Sequence, residues 1–250
     1  MAKKSEIIGD WYHENNVSVI EEPRLFERHQ EMLRNVYTPV ELSATTQIFV
    51  GQNYQLRNKY LIPKTLLFLT VSLDEVQIMK GTDFQDNCLT VASTNGNPTR
   101  CNTFQFVHPC EKLDQSQNKI CYGEDFFIKL SSKDLYLKYE TPRAHSLSAI
   151  PEVRLTDTPD SYCKFQFYYW NDKYKYMDLR TTDLKSRGYI IHTRSGLHLC
   201  VEESMIPTLV GNVYEIKCRW GKDIIGNYSP GCIWKVISNW DKNPEIILKR

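Results

Sequence analysis

Three segments of the chain share a Leu-x-Leu pattern: Leu67-Phe68-Leu69-Thr70-Val71, Leu135-Tyr136-Leu137-Lys138-Tyr139 and Leu197-His198-Leu199-Cys200-Val201. Each is followed by an aromatic segment that a cysteine opens. These aromatic segments are Phe104-Gln105-Phe106 after Cys101, Phe165-Gln166-Phe167 after Cys163, and Trp234-Lys235-Val236 after Cys232. Because a pattern that recurs at a roughly fixed period indicates repeated structural units, the sequence predicts one β domain of three similar lobes.

Two further strands are expected in each lobe. Gly51 and Gly123 precede similar alternating segments, where a glycine suits a tight bend, and Gly188 takes this place less faithfully in the third lobe. The remaining strand candidates are Leu89-Thr90-Val91, Val153-Arg154-Leu155 and the stretch from Tyr214 to Trp220. Four strands in each of three lobes predict an all-β fold, a MIR-like β-trefoil, and the repeat favours it over a β-sandwich.

The stretch from Tyr214 to Trp220 alternates regularly between apolar and charged residues. Ile216, Cys218 and Trp220 would share one face of a strand, and the intervening charged residues the other. The pattern therefore predicts that the face carrying Trp220 belongs to the core.

Three regions of the chain differ in composition. Residues 1–37 are predicted to form an N-terminal arm and one short amphipathic helix, because Pro23 and acidic residues stand at its start and apolar residues recur at helical spacing. Residues 38–240 are predicted to form the β-trefoil domain, and residues 241–250 a C-terminal tail.

The overall charge narrows the range of partners. Lys and Arg number 31 against 30 Asp and Glu, a net charge of +1. Nucleic-acid binding would need a basic stripe, and adsorption to an anionic membrane a basic surface, so neither partner is expected. No targeting segment and no apolar stretch of membrane-spanning length is visible. The eight cysteines include no Cys-x-x-Cys pair, and most are expected to be reduced core residues.

No motif in the sequence indicates catalysis, and the chain is predicted not to be an enzyme. Two short pairs, His108 with Cys110 and His198 with Cys200, could place two metal ligands on one strand face. A structural zinc ion needs four ligands, so no metal and no cofactor is expected. The Gln-x-Trp motif of ricin-type lectins is absent.

Aromatic residues exceed what strand alternation would bury around Tyr168-Tyr169-Trp170 and Tyr174-x-Tyr176. Exposed tyrosine and tryptophan are common anchors at protein interfaces, whereas packing beneath a loop is an equal alternative. Tyr169 and Trp170 are therefore candidate partner-binding residues.

Several segments, taken in order, resemble the cilia- and flagella-associated protein 161 family. They are Ile8-Gly9-Asp10-Trp11, Thr38-Pro39-Val40-Glu41-Leu42-Ser43, Asn102-Thr103-Phe104, Tyr122-Gly123-Glu124-Asp125-Phe126, Leu135-Tyr136-Leu137 and Glu152-Val153-Arg154-Leu155-Thr156-Asp157. None of them is a catalytic signature. Their shared order and spacing, from about residue 7 to residue 238, carry the resemblance.

The resemblance implies a structural microtubule inner protein with no enzyme activity and no cofactor. Members of the family bind the luminal wall of the A-tubule in ciliary and flagellar doublet microtubules, so the implied partners are the α/β-tubulin lattice and neighbouring inner proteins. The implied location is the cytoplasm, in the axoneme of the cilium or flagellum. Ile8, Gly9, Asp10 and Trp11 match the family's arm and are expected to be contact residues.

An alternative of another class stays open: a β-trefoil module that binds a polar ligand, such as an inositol phosphate or a sugar. The opening segment Tyr122-Gly123-Glu124-Asp125 and two small basic faces motivate it. One comprises Lys217, Arg219 and Lys222, and the other comprises Lys185, Arg187 and Arg194. Such charges more often only keep a strand face solvated.

Overall fold

A computed structural model of the chain describes residues 38–45, 47–58, 66–71, 90–93, 96–109, 118–139, 153–169, 187–208, 211–221 and 229–239. These residues form twelve antiparallel strands in one sheet. The strands are β1 Gln55–Asn58, β2 Leu67–Val71, β3 Thr90–Ser93, β4 Phe104–Val107, β5 Asp125–Leu130, β6 Tyr136–Tyr139, β7 Val153–Thr156, β8 Lys164–Tyr169, β9 Gly188–His192, β10 His198–Thr208, β11 Gly211–Arg219 and β12 Ile233–Ile237.

The first and last strands of each lobe close into a ring of six strands. β1 pairs with β12, β12 with β9, β9 with β8, β8 with β5 and β5 with β4. A bridge between Tyr54 and Phe104 joins β4 back to the start of β1. Because the ring closes on itself, these six strands leave no free edge to pair with another chain.

The middle strands of each lobe form three hairpins attached to this ring. They pair as β2 with β3, β6 with β7 and β10 with β11. The hairpin of the third lobe also pairs with that of the first, through β11 and β3. Large apolar residues from all three lobes meet in one core, with Leu56, Phe106, Phe126, Phe165 and Trp234 all at 0% exposure.

Side chains at the ends of the opening strands tie neighbouring lobes together. Asn58, at the end of β1, donates from Nδ2 to the carbonyl oxygens of Gly231 (2.7 Å) and Ile233 (2.9 Å). His192, at the end of β9, contacts the carbonyl oxygen of Tyr162 at 3.0 Å. Ser132, just after β5, donates to the carbonyl oxygen of Arg100 at 3.1 Å. Each lobe junction thus has one polar side chain bonded to the turn before a closing strand.

Glycines occupy the predicted bends for two different reasons. Gly51 and Gly123 have φ values of 73° and 75°, a backbone conformation that side chains with a Cβ rarely adopt. At Gly188 space is the constraint, since a Cβ there would lie 2.2 Å from the carbonyl oxygen of Tyr168. The bend predicted at Gly51 and Gly123 is confirmed, and the third glycine allows close strand approach instead.

The three cysteines that open the closing segments are all buried. Cys232 forms a disulfide with Cys200 of β10, across a sequence separation of 32. Among the described residues, Cys101, Cys121, Cys163 and Cys218 are not disulfide-bonded. Burial raises the pKa of the Cys163 thiol to about 11 and that of Cys218 well above its ordinary value, so both remain protonated near neutral pH.

The prediction of three four-stranded lobes is confirmed strand by strand. The predicted arm and helix in residues 1–37 and the tail in residues 241–250 lie outside the described residues. At the proposed start of the domain, Pro39 bridges Thr99, and the amide of Ser43 donates to the carbonyl oxygen of Asn53 at 2.9 Å. Residues 38–45 are therefore attached to the first lobe.

Candidate functional site

The partner-binding residues predicted from the sequence are not brought together in the described part of the chain. Ile8, Gly9, Asp10, Trp11 and Trp170 lie outside it. Tyr169 ends β8, where its backbone pairs with Gly188, and its side chain is not described. Their role as contact residues stays a prediction.

Trp220 lies on the surface, which corrects the prediction that it belongs to the core face of its strand. Ile216 and Cys218 are buried as expected, but 71% of Trp220 is exposed. The alternation fails because β11 ends at Arg219, which is the last residue paired with β10. Gly221 directly follows Trp220, and this glycine is the sequence signal that could have marked the end of the strand.

The bend that carries Trp220 is fixed on both sides. Arg219 donates from Nη2 to the hydroxyl of Ser229 at 2.7 Å, and the amide of Ser229 donates to the carbonyl oxygen of Gly221 at 2.7 Å. A Cβ at Gly221 would lie 2.6 Å from the His198 ring, so only glycine fits here without displacement. Because the backbone of this bend is already bonded, a partner that covers Trp220 orders its side chain but not the bend.

A second surface group lies where the second lobe meets the third. We call it the Tyr162 cluster, and it consists of Lys138 from β6, Asp160, Ser161 and Tyr162 from the turn before β8, and Arg194 from the turn after β9. The arrangement depends on the pairing of β8 with β9, which brings the two turns together.

Two cationic side chains, those of Arg194 and Lys138, lie close to the ring of Tyr162. The guanidinium carbon of Arg194 lies 4.1 Å from the ring centroid, and the Nζ atom of Lys138 lies 5.8 Å from it. Lys138 also pairs with Asp160 at 3.0 Å, while Arg194 donates from Nη1 to the hydroxyl of Ser161 at 3.0 Å. Cation–π contact and these bonds fix the orientation of both cations.

Asp160 remains ionised within the cluster. Burial alone would raise its pKa, but hydrogen bonds from Lys138 and from the amide of Tyr162, at 2.8 Å, outweigh that effect and lower the pKa. With Lys138 and Arg194 charged, the three ionised groups of the cluster sum to +1.

His192 holds the two turns of the cluster in place from beneath. Its Nε2 faces the carbonyl oxygen of Tyr162, which can only accept, so Nε2 carries the proton and Nδ1 accepts from the hydroxyl of Ser195 at 2.8 Å. Only 1% of His192 is exposed. Burial lowers the pKa of His192, and the nearby positive charge of Arg194 acts in the same direction.

The basic faces and ligand pairs suggested by the sequence have other roles where they are described. Lys217 pairs with Glu215 at 3.0 Å, and Arg219 pairs with Glu202 at 3.4 Å. Cys200 is bonded to Cys232 and so is not available as a thiolate ligand. Within the described ranges, no group of three or more His, Cys, Asp or Glu residues could hold a metal ion.

The strand order and pairing define a β-trefoil of the MIR-like type, as predicted. No family model and no curated protein matches the sequence. The described residues include no helical segment with the length and apolar character of a membrane span.

Solved structures share this fold at low sequence identity. The SDF2-like protein from Arabidopsis thaliana superposes with a TM-score of 0.56 and 11% identity, over 76% of this chain and 94% of that protein. A Caenorhabditis elegans protein of unknown function gives a TM-score of 0.54 and 10% identity, over 78% and 97%. A chain of the sugar-donor-bound Pmt1-Pmt2 protein O-mannosyltransferase complex from Saccharomyces cerevisiae gives 0.53 and 12%, over 84% of this chain and 27% of that one. At these identities the likeness concerns the fold alone.

Proposed function

We propose that the chain is a non-enzymatic structural protein of cilia and flagella, bound to the luminal wall of the A-tubule in doublet microtubules. Its partners are the α/β-tubulin lattice and neighbouring inner proteins, and its role is to stabilise the axoneme for motility. The proposal rests on one observation, the order and spacing of the segments that resemble the cilia- and flagella-associated protein 161 family.

The described members of this set of segments supply the framework of the fold. Asn102, Thr103 and Phe104 are almost fully buried where β4 enters the ring. Gly123 makes the bend before β5, and Val153 begins β7. A resemblance spread over framework positions of the first and second lobes supports a shared fold with the family, which a single short match would not.

The surface of the trefoil also suits a protein held in a lattice. Trp220 offers a large exposed apolar side chain on a bonded bend, and tryptophan is among the residues that contribute most at protein interfaces. An additional contact from the arm, through residues such as Trp11, would act on the same body and raise the overall affinity by avidity. Several weak contacts of this kind are sufficient when the partners are fixed in place.

Extraction of isolated axonemes tests the proposal. The full chain, expressed with a tag in ciliated cells, is expected to remain with the doublets through high salt that removes soluble matrix proteins from the same preparation. Release together with those matrix proteins at moderate salt would contradict it. Loss of residues 1–37 is expected to reduce retention, while an unchanged thermal midpoint confirms that the trefoil still folds.

The alternative, a module for a polar ligand such as an inositol phosphate or a sugar, has weaker support from the described residues. Of the basic residues that motivated it, Lys217 and Arg219 are paired with carboxylates. A thermal-shift panel of polyphosphates and sugars tests it, because a ligand that binds only the folded state raises the midpoint. No shift at millimolar ligand would exclude those ligands.

A further inference from the structure

The Tyr162 cluster contains two charged side chains that are not required to hold the second and third lobes together. All three junctions are held by a polar side chain bonded to a backbone carbonyl, from Asn58, Ser132 or His192. At this junction the His192 bond already joins the two turns. The contacts that Arg194 and Lys138 make with the turn are therefore additional to the junction bond that the three lobes have in common.

Arg194 has hydrogen-bonding capacity left over. A guanidinium carries five N–H donors in a planar fork. Ser161 accepts from one of them, at Nη1, and the ring of Tyr162 covers one face of the group. None of the ion pairs among the described residues involves Arg194. The exposed edge of the guanidinium is thus oriented and without a carboxylate partner.

The charge of the cluster favours one class of anion. Asp160 is ionised and pairs with Lys138, so Arg194 is the cation of the cluster that has no ion pair with a described residue. A carboxylate neutralises one charge and matches the guanidinium fork with two parallel hydrogen bonds. A phosphate dianion would bring a second negative charge close to Asp160, where like charges repel.

We propose that the Tyr162 cluster is a binding site for an acidic side chain of a partner protein, with Arg194 as the residue that accepts the carboxylate. Tyr162 and Ser161 orient the guanidinium before binding, which lowers the entropy cost of forming the pair. This binding site does not depend on the proposed location in the doublet, because its interaction with an acidic peptide can be measured on the isolated chain.

Binding of a fluorescein-labelled hexaglutamate peptide to the full chain, followed by fluorescence anisotropy at low salt, tests the site. Wild type is expected to bind hexaglutamate and not a labelled hexaglutamine peptide. Arg194→Lys keeps the charge but loses the planar fork, and Tyr162→Leu removes the stacking. Arg194→Lys is expected to weaken binding about tenfold, the effect of roughly one charge-assisted hydrogen bond. Tyr162→Leu is expected to weaken binding as well, because the guanidinium is no longer oriented by the ring.

Arg100→Lys is the matched control, because Arg100 is also exposed, belongs to neither basic face and undergoes the same change. It is expected to bind as wild type does, and all variants are expected to keep the wild-type thermal midpoint. Equal binding by Arg194→Lys and wild type, or no binding of hexaglutamate at millimolar peptide, would overturn the proposal. So would inorganic triphosphate that binds more tightly than hexaglutamate and depends on Arg194. None of these outcomes bears on retention in axonemes, so the two proposals fail separately.

Discussion

Replacing Asn58 by leucine is expected to weaken the junction between the first and third lobes. Asn58 is fully buried and donates two hydrogen bonds, at 2.7 and 2.9 Å, to the carbonyl oxygens of Gly231 and Ile233. Leucine has a similar volume, so the change removes the donors without opening a large cavity. Each buried carbonyl left without its donor costs about 1–3 kcal/mol.

For two such bonds we expect the free energy of unfolding to fall by about 3 kcal/mol, because the Ile233 carbonyl also lies in the pairing of β12 with β9 and is not left wholly without partners. In a domain of this size that loss corresponds to a thermal midpoint lower by about 6–12 °C. Chemical denaturation measures the free energy directly, with the slope against denaturant checked for constancy.

The second lobe provides an internal control. Leu130 takes the position equivalent to Asn58, paired with Phe104 as Asn58 is paired with Trp234. There the exposed Ser132 makes the bond to the turn instead. Ser132→Ala is expected to cost less than about 1 kcal/mol, since solvent can replace an exposed bond. A free energy for Asn58→Leu within 0.5 kcal/mol of wild type, as a rough limit of surface effects, would refute the role assigned to Asn58.

Three further changes test other parts of the fold. Replacing Cys200 and Cys232 together by alanine opens a loop closed across 32 residues, and the entropy of that loop predicts that the free energy of unfolding falls by about 3–4 kcal/mol. Denaturant titration measures this change, and a fall of less than about 1 kcal/mol would contradict the prediction. Because burial lowers the pKa of His192 in the folded state, its contribution to stability is complete above the unfolded pKa near 6.5 and falls as the pH drops below that value, by at most about 1.4 kcal/mol per pH unit. His192→Asn should flatten this part of the stability profile against pH, and an unchanged profile would argue against His192 as its source. Gly188→Ala places a Cβ 2.2 Å from the Tyr168 carbonyl oxygen and should destabilise the domain by about 1–3 kcal/mol or more in thermal unfolding, whereas a neutral result would mean that β8 and β9 separate easily.

Most of the architecture could be predicted from the sequence because it depends on a local pattern that recurs three times. The Leu-x-Leu and aromatic segments coincide with β2, β6, β10 and the closing strands. Burial alternates in β4 and β6, whereas Phe68 in β2 and Cys200 in β10 are buried beside their leucines. The glycine bends at Gly51 and Gly123 could be predicted for the same local reason. Which strands pair across the lobes could not, because it depends on how the ring closes.

The surface groups were harder to predict because they form between distant parts of the chain. Arg194 meets Tyr162 only through the pairing of β8 with β9, and Cys200 meets Cys232 only once β10 and β12 are in place. Trp220 continued the alternating pattern of its strand, so its sequence indicated burial. The end of pairing at Arg219 overrode that pattern.

A density map of intact doublet microtubules, isolated from cilia that contain the chain, tests the central claim most directly. The account predicts density for a compact trefoil of three four-stranded lobes on the inner wall of the A-tubule, missing from doublets of cells that lack the chain. Identical density in both preparations, or density for the chain only on the outer surface, would contradict it.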